Sequence, residues 1–91
     1  MRKITQSIAT AFNEGKPLNI DNTYTDGNSV FLHGNKILKR EGGKLYFCLC
    51  GWNTPTTRER LSPWVVVRCK ARIAYVDGMA ISDTQWIEIK A

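Results

Sequence analysis

The residues whose types and spacing could do chemistry begin at Asn53-Thr54-Pro55-Thr56-Thr57-Arg58-Glu59-Arg60. Pro55 suits a first helical position, where its missing N–H costs nothing, and Thr54 then caps the helix. Thr56 and Glu59 also have capping-box spacing, which would move the start two residues on. Either way, Asn53, Thr54, Thr56 and Thr57 surround a helix start whose unpaired amides and dipole favour a phosphate or carboxylate. Arg58 or Arg60 could add a forked contact. Being two apart on a helix, they cannot both face the same way. The plainer alternative is that the threonines only cap the helix and one arginine packs over Trp52 or Trp64.

A second grouping is Arg68, Lys70 and Arg72. On one strand they project from one face roughly 7 Å apart, a spacing compatible with a phosphate backbone. Lys36, Lys39, Arg40 and Lys44 could extend the patch. The competing reading is a solvated strand face whose lysines guard an edge against aggregation. A break near Lys70-Ala71 would remove the comb.

Cys48, Cys50, Cys69 and His33 could in principle ligate a metal. Cys-x-Cys within a strand sets its thiols far apart, however, and no second Cys pair or His pair follows. Small buried apolar roles suit these cysteines better, so no metal or other cofactor is expected. His33 with Cys48 or Cys50 would be a possible nucleophilic couple, but no orienting acid or oxyanion site is recognisable beside it. The 8 acidic residues include no clear acid/base pair, and a non-enzyme is expected.

These groups need elements to position them. Val30 and Leu32 alternate with Ser29, Phe31 and His33 at the two-residue period of a half-buried strand. Gly34-Asn35 then reads as a hairpin turn, and a strand resumes from Lys36 to Glu41. Gly42-Gly43 makes the next turn, because glycine takes positive φ without a Cβ clash. Lys44 to Cys50 follows, with Leu45, Phe47 and Leu49 on one face. The result is a three-strand meander over 29–50 running into a short helix over 55–61, anchored by Trp52, Leu61 and Trp64. Ser62-Pro63 stops that helix.

Upstream, Ile4, Ile8 and Phe12 recur at four-residue steps, giving a helix over 2–13 that Gly15-Lys16-Pro17 ends. Leu18, Ile20 and Tyr24 pin the polar stretch after it, and Thr23-Tyr24-Thr25 with Asp26-Gly27-Asn28 reads as a short strand and turn. Downstream, 64–75 is one long strand or two separated near Lys70-Ala71. Asp77-Gly78 marks a hairpin, Met79-Ala80-Ile81 returns from it, and a last strand spans Gln85 to Lys90. The fold class is α+β: an antiparallel sheet of meander and hairpin strands (the latter over 64–90), an N-terminal helix and a short central helix.

The 91 residues suit a single domain over 1–91, and 43% hydrophobic content supports a folded core. Lys and Arg number 13 against 8 acidic residues, a net charge of +5 that permits attraction to phosphate or an acidic partner. Three cysteines cannot all pair, and Met1-Arg2-Lys3-Ile4-Thr5-Gln6 lacks the apolar run of an export signal, so a reducing cytoplasm is expected. No apolar stretch approaches the ~20 residues of a membrane span.

Leu32-His33-Gly34-Asn35-Lys36-Ile37 followed by Gly51-Trp52-Asn53-Thr54-Pro55-Thr56-Thr57-Arg58-Glu59-Arg60-Leu61 resembles an uncharacterised family of small bacteriophage proteins. Thr23-Tyr24-Thr25-Asp26-Gly27 shares the likeness, as do Tyr75, Gly78 and Trp86 more loosely. The chain departs from it at Ser62-Pro63-Trp64, where a polar residue and a glycine turn would stand, and at Cys48 and Cys50. The resemblance implies a phage origin and action in the cytoplasm of a bacterial host, with no reaction attached. Two functions follow as expectations. One is phosphate-mediated binding of nucleic acid by the Thr54–Arg60 helix start and the basic strand faces. The other is capture of a host protein such as a nuclease, polymerase or defence complex, with exposed Trp and Arg as anchors. The protein acts as a monomer, or as a dimer joined at an unpaired strand edge.

Overall fold

The computed structural model describes residues 2–90. Helix α1 (Lys3–Asn13) buries Thr5, Ile8, Ala9, Ala11 and Phe12, the face expected from the four-residue steps. Arg40 closes its far end, with its guanidinium 4.2 Å from the Phe12 ring centroid. That group donates to the Phe12 carbonyl at 3.3 Å and the Gly27 carbonyl at 3.0 Å. A cation thus sits at the negative end of the helix, adding to the Gly15 N–H that the Phe12 carbonyl already accepts. Gly27 has φ 92°, and a Cβ there would lie 2.5 Å from the Gly15 carbonyl oxygen. Only glycine lets the turn approach the helix end so closely.

Strands β1 (Leu18–Ile20), β2 (Thr23–Thr25), β3 (Ser29–Leu32), β4 (Asn35–Glu41) and β5 (Lys44–Phe47) form an antiparallel meander. Helix α2 (Pro55–Leu61) follows, then β6 (Arg68–Lys70), β7 (Ile73–Val76) and β8 (Met79–Ile81) as a separate three-stranded sheet. Strand β9 (Ile87–Ile89) returns to pair with β5, so the larger sheet has six strands in the order β1-β2-β3-β4-β5-β9. The α+β class, the antiparallel strands and both helices are as the sequence implied.

Several boundaries differ from expectation. The β3–β4 turn is His33-Gly34 rather than Gly34-Asn35, because Leu32 pairs with Asn35 and both turn residues have positive φ, 51° and 81°. That pair of dihedrals matches the twist of the flanking strands. Between Val30 and Phe31 the register shifts, so Ile37 is the extra residue of a bulge. Consecutive Ile37 and Leu38 are therefore both buried, which strict alternation would forbid. Strand β5 stops at Phe47, short of Cys50. The Cys48 N–H still reaches the Ile37 carbonyl at 2.9 Å, and Cys50 then turns the chain away with φ 55°.

Residues 64–75 form no single long strand. Lys70 pairs with Ile73 around a two-residue turn in which Ala71 and Arg72 have φ 51° and 66°. The last strand belongs to the larger sheet and not to the hairpin before it. The core comprises Ile8, Phe12, Val30, Leu32, Ile37, Leu38, Phe47, Leu49, Leu61, Val67 and Ala74, so α1, α2 and both sheets share it.

Candidate functional site

Helix α2 begins where Thr54 and Pro55 imply. Thr54 is extended (φ −113°, ψ 157°), and its hydroxyl accepts the Thr57 N–H at 3.2 Å. The two threonine hydroxyls lie 3.0 Å apart. The later start does not occur, because Glu59 turns away from the cap. Its carboxylate accepts the Arg2 N–H at 3.2 Å, the Thr5 hydroxyl, and Arg60 at 2.6 Å. Burial pushes the Glu59 carboxyl up, but the hydrogen bonds from Thr5, Arg2 and Arg60, with the Arg60 charge, outweigh it and hold the group below its ordinary value.

This arrangement narrows the anion corner. Pro55 has no N–H and the Thr57 N–H is capped, leaving the Thr56 amide in the first turn. Neither arginine offers the forked contact. Arg58 folds back on its own cap, donating to the Asn53 carbonyl at 3.0 Å and the Asn53 side-chain oxygen. Arg60 is only 3% exposed. It donates to Thr23 Oγ1 at 2.9 Å and Thr5 Oγ1 at 3.2 Å, joining α2 to β2 and α1. A charge so buried must be paired and hydrogen-bonded, and it is.

The tryptophans divide as well. Trp64 packs edge-on to Phe12 with ring centroids 5.4 Å apart, and its N–H reaches Asn13 Oδ1 at 3.3 Å. Trp52, expected to anchor α2, is instead 58% exposed. It forms one wall of a pocket of about 430 Å³ between the β3–β4 turn and the start of α2. Buried Leu32, Ile37 and Leu49 make its floor, with His33, Asn35, Thr54 and Thr56 around the mouth. Sequence reasoning had Trp52 and His33 in hand separately. The pocket between them depends on the turn at His33 folding against α2.

The three-residue comb is not formed as expected. Arg68 and Lys70 lie on β6, whereas Arg72 sits in the turn. Arg68 faces Tyr75 across the strands and Lys70 faces Ile73, so the four share one face of the small sheet. All three cations are exposed, and among the described residues none has a carboxylate partner. On the larger sheet, Lys39 pairs with Glu41 at 3.3 Å and sits 4.4 Å over Trp86. Lys44 lies 3.9 Å from Glu88, and Lys36 covers Phe31 at 5.6 Å. Those cations therefore add little to the patch. Asn53 links the two features. Its amide donates to the Arg72 carbonyl at 3.4 Å and approaches Cys69 Sγ at 3.5 Å, tethering the basic turn beside Trp52.

The thiols have other partners than His33. Cys50 donates to the Lys36 carbonyl at 2.9 Å, and Cys48 Sγ accepts the Cys50 N–H at 3.2 Å. Burial, then the hydrogen bond and like charge of Cys48, push the Cys50 thiol up to about 11, so it stays protonated at neutral pH. No grouping of three or more potential metal ligands occurs among the described residues. No helix among them is long and apolar enough to cross a membrane.

Neither the curated proteins nor the solved structures yield a match to this chain. The family model described as Kyanoviridae Gp96 protein matches residues 1–88, nearly the whole sequence and both halves of the site. The chain therefore belongs to the Kyanoviridae Gp96 family of bacteriophage proteins.

Proposed function

We propose that this phage protein is a non-catalytic nucleic-acid-binding protein acting in the cytoplasm of the bacterial host. Phosphates lie along Arg68, Lys70 and Arg72, with Tyr75 between strands as a stacking surface. The observation that carries the reading is the clustering of these three exposed cations on one small sheet and its turn with no carboxylate partner among the described residues, while Lys36, Lys39, Arg40, Lys44, Arg58 and Arg60 are engaged by carboxylates, carbonyls or rings. A patch of unpaired cations with an aromatic side chain among them matches the general design of non-sequence-specific strand binding. Thr54, Thr57 and Asn53 shape the site, the Thr56 N–H is its remaining helix-start donor, and Arg58 and Arg60 act in the scaffold. A mobility-shift titration over salt concentration tests this. Arg68→Ala with Lys70→Ala should weaken binding of all sequences alike and flatten the slope of log affinity against log salt by about 0.7 per lost single-strand phosphate contact. Absence of any low-salt complex with DNA or RNA would end the proposal.

A second reading, inhibition of a host protein, draws on exposed apolar side chains at the small sheet, Met79 at 72% and Val66 at 60%. Both line a groove of about 460 Å³ whose other wall is β9. Affinity purification from nuclease-treated bacterial lysate separates the two readings. One dominant protein retained after nuclease favours inhibition, and loss of all partners favours nucleic acid.

A further inference from the structure

We infer that the pocket beside Trp52 receives one unstacked base of a single strand, so that the protein discriminates single strands from duplexes. This rests on the phosphate-binding reading above and assigns the other half of the same ligand. The pocket floor is apolar and buried, with Leu32, Ile37 and Leu49 each 4% exposed or less. Above it stand the Trp52 indole and, at the mouth, an imidazole, an amide and two hydroxyls from His33, Asn35, Thr54 and Thr56. The volume of about 430 Å³ accommodates a heterocycle, and a pocket of apolar body with few polar groups is the usual form of a small-ligand site. A base has that same division between an apolar face and a hydrogen-bonding edge.

Charge decides the occupant. An apolar peptide side chain would satisfy the floor but leave Arg72, in the turn held beside it by Asn53, without a counterpart. A nucleotide satisfies both, since the turn carrying Arg72 is tethered to Asn53, the residue following Trp52 in the chain. In a duplex the base faces are stacked and the edges paired. Reaching Leu49 would require eversion of the base, which is least costly in a strand that is already single. Selectivity for unpaired strands follows from the depth of the floor, without any reading of sequence.

Fluorescence anisotropy at low salt tests this with three probes: a mixed-sequence single strand, an abasic strand of the same length and charge, and the corresponding duplex. The base-bearing single strand should bind about tenfold more tightly than the abasic strand, the scale of one base–aromatic stack, and more tightly than the duplex. Trp52→Ala should bring it down to the abasic level, and Thr56→Phe, which fills the mouth, should do the same by obstruction. Equal binding of abasic and base-bearing strands, or discrimination unchanged in both variants, overturns the inference and leaves the phosphate reading standing. Failure of all three probes to bind removes both.

Discussion

Arginines and lysines meet two fates in this molecule, divided by region. In the part built on the six-stranded sheet and its helices, Arg60, Arg40 and Lys39 are drawn inward. Arg60 crosses from α2 to Thr23 and Thr5, and Arg40 covers Phe12 and caps the end of α1. Lys39 lies between Glu41 and Trp86. In the three-stranded sheet, Arg68, Lys70 and the neighbouring Arg72 point outward with no carboxylate beside them among the described residues. The same side-chain chemistry holds the fold together in one region and presents unneutralised charge in the other. What differs is the local supply of acceptors. Net charge alone cannot distinguish these uses, because it counts both.

The largest test of this contrast is Arg60→Met. Removing the guanidinium leaves Glu59 partly buried without its charge partner and strips Thr5 and Thr23 of a donor. Breaking a buried pair from one side costs about 3–5 kcal/mol, so the midpoint of urea unfolding should fall sharply. A loss below about 1 kcal/mol, the scale of a surface ion pair, would mean that the network is not what joins α2 to α1.

A pH titration of stability gives a smaller effect from the same cluster. The folded Glu59 carboxyl sits below its unfolded value, so the unfolded chain binds more protons in acid. The resulting stabilisation is present above about pH 4.3, the ordinary glutamate value, and fades as pH falls through the folded value. Glu59→Gln should be less stable than the parent near neutrality, with the gap closing in acid. A gap that stays constant from neutral to acid pH would detach Glu59 from the network.

The smallest effect belongs to the other region. Arg68→Ala with Lys70→Ala should change unfolding free energy by no more than about 0.5 kcal/mol, the usual range for surface sites without such features, while affecting affinity as described above. If instead it destabilised the protein as much as Arg60→Met, the division between the two regions would collapse.

Several local signals in the sequence that concern backbone dihedrals proved dependable. Thr54 and Pro55 mark the start of α2, and Gly42-Gly43 and Asp77-Gly78 each sit between paired strand residues with positive φ. Ala71-Arg72 adopts the same kind of turn without a glycine or asparagine to announce it, which left one strand or two undecided. His33-Gly34 displaced Gly34-Asn35 because histidine also tolerates positive φ. The bulge at Ile37 could not be read either, since it depends on the partner strand.

From the residues alone came the α+β class, both helices, most of the turns and the helix cap, because each is encoded in dihedral preferences and periodicity over a few neighbouring positions. Tertiary structure alone assigned the arginines their roles, opened the pocket between His33 and Trp52, and sent the last strand back to β5. Arg60 lies 37 residues from Thr23 and 55 from Thr5, and the pocket joins 32–37 to 49–57. Whether a charge is neutralised or left to face solvent depends on which distant acceptors the fold brings to it, and that information is absent from any short stretch of chain.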